Sequence, residues 1–564
     1  MSDQSTNPET KNSSTRESTR IRWWPAVLIL LVYGGIWLTT WVILDDVDTA
    51  RGLQIVVTQI ATGVAVLSLL VWELFFARLG FRSARWWRVQ GVIALVVIVL
   101  ISLFRIDYAD GDASFSLTWR WVEDAYVNLD ANVQLAPDSE PVVPNPVLDY
   151  PGFLGENRDG IVPNVSLAAD WDANPPRELW RIEQGAENSL GAAHSSFAIV
   201  GERAYTQELR GDAEYVSCFE LLTGELIWRN AQTDDDDAVV FESNVAGDGP
   251  RATPTYYDGR IYAVGSAGLL ACFDATTGER LWEADIFEHT ESINANWGYS
   301  ASPLIAEPHV IVSAGGSGNA QLVGYRLDTT DSHPQPAVRG GDAELGGTDF
   351  YVSPTLRTIC GVPQVLHINN KGIAAFDPES LDLLWEHPWP WQGGFAHPLV
   401  SQPVVLPDNH VFVSAGYTSG DALIQVSRDD DGRFSSGLIW LSNNLKSKFT
   451  NVLVQGDYLY GLDARILTCV EWRTGKRQWK VRAGTYGHGQ VILVGDKIPT
   501  QKIIVQAETG ELALVRATPE SFEELGRIQP FEDRTWNNPA ISGKYLLLRN
   551  HLEAACYELP LMEE

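Results

Sequence analysis

Four stretches of this chain spell nearly the same eleven-residue phrase, and no other feature limits the fold as strongly. They read CFELLTGELIW (218–228), CFDATTGERLW (272–282), AFDPESLDLLW (375–385) and CVEWRTGKRQW (469–479). Each begins with a small residue, has an acid at the third position and ends in tryptophan, and three of them have Thr-Gly at positions six and seven. Because glycine supplies the positive φ of a tight turn, the phrase predicts a strand, a turn and a second strand.

A second pair of strands precedes each phrase, as in ATPTYYDGRIYAVG before residue 272. Two strands before the phrase and two within it give four strands per unit. Tryptophans or weaker equivalents lie at 180, 228, 282, about 334, 385, 440, 479 and about 526, at a mean spacing of about 49 residues. Eight four-stranded units of this length indicate a β-propeller rather than a helical solenoid. The predicted fold class is therefore all-β, with an eight-bladed propeller over residues 165–564.

The two ends of this region predict how the ring closes. ELWRIE at 178–183 carries only the end of the phrase, and CYE at 556–558 carries only its beginning. If the last strands pair with the first, one composite blade forms and no open sheet edge remains.

The first 107 residues have a different composition. Residues 1–22 are rich in Ser and Thr with almost no large apolar residue, so we expect a disordered tail. Apolar stretches follow at about 23–44, 53–76 and 87–107, each near the ~20 residues that cross ~30 Å of hydrocarbon as a helix. The sequence therefore predicts an N-terminal bundle of three transmembrane helices. A cleaved signal peptide is the competing interpretation of the first stretch, but two more apolar stretches follow it.

The charges that flank these stretches predict their orientation. The tail contains four basic residues and the loop 77–88 contains four arginines and no acid, whereas the loop 45–52 has three aspartates and one arginine. By the positive-inside rule the tail is cytoplasmic, as expected of an integral, multi-pass protein of the bacterial inner membrane. The propeller is then periplasmic, and the proline-containing residues 108–164 are predicted to be an extracytoplasmic linker.

The phrase, written A-x-D-x-x-T-G-x-x-x-W, resembles the repeat of the pyrroloquinoline-quinone-like propeller family. That family includes quinoprotein alcohol dehydrogenases and the propeller lipoprotein of bacterial outer-membrane-protein assembly. The resemblance covers residues 165–560 and implies that each tryptophan packs across to the glycine-bearing turn of the next blade. The predicted blade anchors are Trp180, Trp228, Trp282, Trp385 and Trp479.

The five cysteines, at 218, 272, 360, 469 and 556, bear on both redox chemistry and catalysis. Four of them stand where the family has alanine, on different blades and so beyond the ~7 Å that a disulfide allows between Cα atoms. We expect buried thiols and no metal site. An alcohol dehydrogenase of this family would be expected to show adjacent cysteines and calcium ligands. No two cysteines here are adjacent and no C-x-x-C-H haem motif is present, so the repeat alone does not carry that activity.

Residues just before the innermost strand of each blade are expected to surround one mouth of the axial channel. They are His194, Arg251, Trp297, Tyr351, His397, Lys448, His488 and Trp536. Polar and aromatic groups at a concavity are typical of a binding site, and the cations suit an anionic or quinone-like ligand on a chain of net charge −31. The alternative is that these groups hydrogen-bond to the loop backbone near the axis.

Three classes of function remain open. The predicted one is an extracytoplasmic scaffold whose rim loops bind an envelope protein or polymer, with no catalytic residue, metal ligand or cofactor assigned. The alternative is a dehydrogenase with pyrroloquinoline quinone and Ca²⁺ in the axial channel, and the third is a sensor that reports to the cytoplasmic tail. Nucleic acid is not an expected partner, because phosphate neutralisation dominates such binding and the chain is strongly acidic.

Overall fold

The computed structural model describes residues 24–43, scattered positions from 61 to 103, and residues 104 to 562 apart from short gaps. The gaps are 110–114, 123–126, 128, 130–132, 184–188, 235–239, 242–246, 315–319, 342–350, 369–371, 390–398, 417–418 and 496–499. The chain divides into two compact units, residues 1–106 with 111–121, and residues 107–110 with 122–564.

The predicted bundle of three transmembrane helices is wrong. Helix α1 covers Trp24–Ile43, and among the described residues no helix is both long and apolar enough to cross a membrane. Most of the stretches 53–76 and 87–107 lie outside the described residues. Strand β1 (Phe104–Ala109), in a two-stranded sheet with β2 (Phe115–Trp119), already begins within the third predicted span.

The second unit contains eight sheets of four antiparallel strands, as the repeat predicts, one of them with a fifth, parallel strand, and a short helix α2 (Ile286–Thr290). Blade 1 is β5 (Ala198–Val200), β6 (Arg203–Arg210), β7 (Ala213–Glu220) and β8 (Leu226–Ala231). Blade 2 is β9 (Thr255–Tyr257), β10 (Arg260–Val264), β11 (Leu269–Asp274) and β12 (Arg280–Asp285). Blade 3 is β13 (Leu304–Ala306), β14 (His309–Ser313), β15 (Leu322–Arg326) and β16 (Val338–Gly340). Blade 4 is β17 (Thr355–Ile359), β18 (Val362–Ile368), β19 (Gly372–Phe376) and β20 (Leu383–Pro388).

The other four blades follow in chain order, except that the last takes its outer strand from the start of the unit. Blade 5 is β21 (Val404–Leu406), β22 (His410–Ala415), β23 (Gly420–Arg428) and β24 (Phe434–Ser442). Blade 6 is β25 (Leu453–Gln455), β26 (Tyr458–Asp463), β27 (Ile466–Glu471) and β28 (Lys476–Thr485). Blade 7 is β29 (Gln490–Val494), β30 (Lys502–Gln506), β31 (Leu512–Arg516) and β32 (Glu524–Ile528), with β3 (Ile161–Val162) added beside β29. Blade 8 is β33 (Ala540–Ser542), β34 (Tyr545–Arg549), β35 (Ala554–Glu558) and β4 (Arg177–Ile182).

The repeated phrase forms the outer hairpin of a blade. In blade 2, Cys272 pairs with Trp282 across strands β11 and β12, and a β-bulge follows Cys272. The acid at position three closes the turn, because one carboxylate oxygen of Asp274 accepts the backbone N–H groups of Thr276 and Thr277 at 2.9 and 2.8 Å. Gly278 then takes a φ of +79°, which glycine adopts without strain.

The tryptophans of the phrase join neighbouring blades. Trp228 is buried, and its indole N–H donates to the carbonyl of Ala275 in blade 2 at 3.1 Å. Trp180 donates likewise to Leu221 at 2.9 Å and Trp479 to Thr518 at 2.8 Å. The other two anchors differ: the ring of Trp282 lies 6.3 Å from that of Tyr325 in blade 3, whereas Trp385 donates to the side chain of Gln364 in its own blade at 2.7 Å.

The ring closes as predicted. Strand β4 pairs antiparallel with β35, so blade 8 contains residues from both ends of the unit. Cys556 lies opposite Trp180, which is the pairing that the first and last residues of the phrase make in the other blades. Arg177 and Glu558 add an ion pair across the same two strands.

Candidate functional site

An axial belt of hydrogen bonds links all eight blades where the innermost strands begin. Its members are Ser196, Thr253, Ser302, Ser353, Gln402, Asn451, Gln490 and Asn537. The backbone N–H of Thr253 donates to Ser302 Oγ at 2.9 Å, the N–H of Ser302 donates to Ser353 Oγ at 2.9 Å, and the N–H of Gln402 donates to Asn451 Oδ1 at 2.8 Å. The remaining links are Ser196 N to Thr253 Oγ1 at 3.3 Å, Gln402 Nε2 to the Ser353 carbonyl at 3.4 Å, Gln490 Nε2 to the Phe449 and Trp536 carbonyls at 3.1 and 3.0 Å, and Asn537 Nδ2 to the Ser195 carbonyl at 2.8 Å.

The belt explains why a small polar residue recurs just before each inner strand. A β-propeller brings the start of eight strands together near the axis, where backbone N–H and C=O groups need partners other than water. Side chains of Ser, Thr, Gln and Asn supply those partners from the neighbouring blade. These residues are absent from the predicted site, although the recurring Thr-Pro, Ser-Pro and Gln-Pro pairs were a signal of their shared position.

The predicted mouth residues mostly precede the belt by two or three positions, and several of them meet. The ring of His194 lies 5.8 Å from that of Trp536. Phe449 lies 5.5 Å from Trp536 and 5.1 Å from His488, and the ammonium group of Lys448 lies 5.8 Å from the Phe449 ring. These contacts bring together four predicted residues from blades 1, 6, 7 and 8.

Gly247 connects Arg251 to this group. Its carbonyl oxygen accepts a hydrogen bond from Arg251 at 2.6 Å, and Arg251 also donates to the Gly249 carbonyl at 2.8 Å. A Cβ added to Gly247 would lie 2.9 Å from Arg534 and 3.0 Å from His194, so both side chains pack against this glycine.

Two predicted residues form a separate pair, and one is not described. Trp297 and Tyr351 have ring centroids 6.0 Å apart, and the Trp297 N–H donates to the Tyr351 hydroxyl at 3.2 Å. His397 lies outside the described residues.

Two arginines and a histidine that the sequence analysis missed complete the mouth. His551 is 5.5 Å from His194, ring to ring. Burial, together with charge repulsion from Arg534, Arg549 and Arg251, lowers the pKa of His551 to about 3. Three guanidinium groups therefore act on one neutral imidazole. We call this set the cationic mouth: His194, Arg251, Arg534, Trp536, Arg549 and His551.

The arginines of the cationic mouth keep their charge at neutral pH. Burial lowers the pKa of Arg251 and that of Arg549 to about 10 each, still well above 7. Arg549 is fully buried and donates to Thr206 Oγ1 at 2.7 Å and to the Gln207 carbonyl at 3.0 Å. Carboxylates act on these arginines: Glu214 and Asp248 on Arg251, and Glu208 on Arg549. Glu508 accepts the indole N–H of Trp536 at 2.8 Å.

Neither a metal centre nor a reactive thiol stands out in the described part of the chain. No three His, Cys, Asp or Glu side chains there are grouped so as to hold a metal ion. All five cysteines are free, and burial raises the pKa of Cys272, for example, to about 12. A thiol with such a pKa is not a nucleophile at neutral pH.

The segment 150–162, which we call the strap, lies at the other end of the channel. Its Ile161 pairs in parallel with Leu493 of the inner strand of blade 7. Arg357 lies on β17, four residues and so about 13 Å along the strand from the belt residue Ser353. It donates a hydrogen bond to the Arg158 carbonyl at 3.0 Å. Arg158 in turn reaches the belt, where it donates to the carbonyls of Pro303 at 2.7 Å and Ser302 at 3.1 Å.

The family model described as outer membrane protein assembly factor BamB matches residues 212–481. Residues 212–481 are thus similar to the BamB-like, pyrroloquinoline-quinone-like propeller family. The predicted family is thereby confirmed. No curated protein matches the sequence of the chain.

Solved structures support the fold. Quinohemoprotein alcohol dehydrogenase from Comamonas testosteroni is 11% identical over 74% of this chain and 82% of its own, with a TM-score of 0.51. BamB from Moraxella catarrhalis is 15% identical over 68% of this chain and 99% of its own, with a TM-score of 0.46. At 11% identity the likeness to the dehydrogenase structure supports the propeller fold and says nothing about chemistry.

Proposed function

We propose that this chain is a non-catalytic binding propeller, a scaffold of the bacterial cell envelope that takes an anionic group of a protein or polymer partner at its cationic mouth. The observation that carries the proposal is the convergence of Arg251, Arg534 and Arg549 on His551 in a chain of net charge −31. Arg251 donates to two carbonyl oxygens, and the nearby carboxylates of Glu214 and Asp248 favour its charged form. Clustered cations on an acidic protein attract ligands of the opposite sign.

Aromatic rings in the same place support recognition of more than charge. The guanidinium carbon of Arg534 lies 4.4 Å from the centroid of the Trp536 ring, an arrangement that holds the guanidinium in place. An acidic segment with a planar or apolar side chain fits such a surface better than a bare anion does. The name of the matching family model, an outer membrane protein assembly factor, agrees with an envelope protein as partner.

The test uses a defined acidic probe on the full chain. A fluorescein-labelled hexaglutamate peptide is titrated with wild type and with Arg534→Gln, Arg251→Gln and Arg326→Gln, and anisotropy is followed at low and at moderate salt. We expect saturable binding that weakens with salt and is reduced about tenfold or more by either mouth variant. Arg326→Gln is the matched control, because Arg326 is exposed on blade 3 and pairs with Asp328. Equal binding by all four proteins would refute the proposal.

The dehydrogenase is the second candidate, and the described residues support its cofactor pair only in part. Cations of the mouth suit the carboxylates of pyrroloquinoline quinone, but no three His, Cys, Asp or Glu side chains in the described part of the chain are grouped so as to hold a metal ion. The cysteines do not form an adjacent pair. We therefore derive no reaction step. Saturable binding of pyrroloquinoline quinone that requires Ca²⁺, together with reduction of a dye by an alcohol, would replace the non-catalytic proposal.

A further inference from the structure

The strap and the inner strands of blades 4, 5 and 6 enclose a cavity of about 110 Å³. Its polar lining consists of Arg158 and Asp159 of the strap, Arg357 of β17, and Gln402 and Asn451 of the belt. The rest is apolar, contributed by leucine, isoleucine, proline and valine side chains of the strap and the inner strands. The cavity lies at the strap end of the channel and shares none of its lining residues with the cationic mouth.

Two buried polar atoms in this lining have no hydrogen-bond partner among the described residues. One is Nε of Arg158, whose side chain is only 7% exposed and whose two other nitrogens donate to belt carbonyls. The other is Oε1 of Gln402, which is 5% exposed. A buried polar atom without a partner destabilises the folded state, so two of them on one cavity indicate a polar occupant.

The charges of the lining favour an anion. Arg158 and Arg357 are cations and Asp159 is the one carboxylate, which leaves one positive charge in excess. Burial, and after it repulsion from Arg357, lowers the pKa of Arg158 to about 9, so Arg158 is still protonated near pH 7 and is repelled by Arg357. A monovalent anion between them would relieve that repulsion and accept the N–H of Arg158 Nε.

The size and the apolar lining narrow the class of anion. An apolar cavity of about 150 Å³ accommodates benzene, with six heavy atoms, so about 110 Å³ accommodates about four or five. Acetate has four heavy atoms and propionate has five. Valine side chains such as Val404 and Val452 offer a surface for a short alkyl group, which nitrate or bicarbonate lacks.

We propose that this cavity binds a short monocarboxylate of acetate to propionate size, with the carboxylate between Arg158 and Arg357 and the alkyl end on the valines. The site is independent of the cationic mouth, and the two are tested with different variants. If binding is lost at one of the two sites, the proposal for the other site is still decided by the experiment on that site.

The experiment is calorimetric titration of the full chain with sodium acetate and sodium propionate at constant ionic strength. Acetamide, which has the shape of acetate without its charge, and nitrate, which has the charge without an alkyl group, are titrated in parallel. We expect saturable binding of acetate and propionate, weaker binding of nitrate, and none of acetamide. Arg357→Gln should weaken acetate binding about tenfold or more, because it removes a charge-assisted hydrogen bond.

Two further variants keep the result decisive. Arg326→Gln, the exposed arginine of blade 3, should bind acetate like wild type. Val404→Phe fills the cavity without changing its charge and should abolish acetate binding. This variant replaces Arg357→Gln in the test if circular dichroism shows that Arg357→Gln does not fold. The proposal is overturned if acetamide binds as well as acetate or if Arg357→Gln binds like wild type. Absence of any saturable heat up to molar acetate, the result expected of a cavity that holds only water, overturns it as well.

Discussion

Replacing Gly278 with alanine tests whether the tryptophan between blades 1 and 2 holds them together by close contact. Gly278 has a φ of +79°, and a Cβ built on it would lie 2.5 Å from the Trp228 ring. Trp228 is fully buried, so it has no room to withdraw. Gly259 of the same blade is a matched control: its φ is +76° and a Cβ there meets nothing within 4 Å.

The two substitutions share one cost and differ in a second. A left-handed conformation costs a non-glycine residue about 1–2 kcal/mol, and the loss of glycine's freedom in the unfolded chain returns about 0.4–1 kcal/mol. Gly259→Ala should therefore lower the free energy of unfolding by about 1 kcal/mol. Gly278→Ala adds overpacking against the Trp228 ring, which typically costs about 1–3 kcal/mol more. Its total is about 2–4 kcal/mol.

Urea unfolding followed by far-ultraviolet circular dichroism measures both values. The double variant Gly278→Ala with Trp228→Phe should recover part of the difference, because the smaller ring vacates some of the space that the new Cβ needs. If the two alanine variants lose the same free energy of unfolding within about 0.5 kcal/mol, the close contact between residue 278 and the Trp228 ring does not hold the blades together as argued. The same outcome would remove the physical reason for glycine at position seven of the phrase.

Three further predictions concern buried polar groups. Glu208→Gln should lower the free energy of unfolding in urea by about 3–5 kcal/mol, because it leaves the buried Arg229 and Arg210 without their carboxylate. The control Glu523→Gln, at an exposed ion pair, should change it by less than about 1 kcal/mol. Burial lowers the pKa of His367 to about 4, so the unfolded chain takes up a proton below pH 6.5 that the folded chain does not. Stability should fall by up to about 3 kcal/mol between pH 6.5 and 4, and a His367→Leu variant should lack that part of the decline. In the folded protein, iodoacetamide should modify Cys360 and leave the four buried cysteines intact, so that mass spectrometry finds one adduct; four or five adducts at early times would contradict their burial.

The features that the sequence predicted correctly are those fixed by local chemistry. The outer hairpin follows from an acid that accepts the N–H groups of its own turn, as Asp274 does, and from a glycine that adopts positive φ. Both lie within seven residues of the chain. Closure of the ring was predictable for the same reason, since ELWRIE and CYE are the two halves of a phrase whose internal pairing was already known.

The features that the sequence did not predict arise only when distant segments meet. Arg534 and His551 reach His194 because blade 8 closes beside blade 1, at a separation of more than 300 residues along the chain. Arg158 acts on belt carbonyls that lie 144 and 145 residues further along. The transmembrane prediction failed for a different reason. Apolar composition indicates that a segment avoids water, but it does not determine where a continuous helix begins and ends.

The residues near the axis allowed two interpretations, a ligand-binding site and hydrogen bonds to the loop backbone, and the belt distinguishes between them. Side chains at the start of each inner strand, such as Ser302 and Gln402, satisfy backbone groups of the neighbouring blade and so serve the ring itself. Residues two or three positions earlier do not follow that pattern: Arg251 keeps its charge while it donates to carbonyls, and Arg534 stacks on an aromatic ring. A cationic and aromatic surface over a hydrogen-bonded floor suits the reversible association with an acidic partner that we propose.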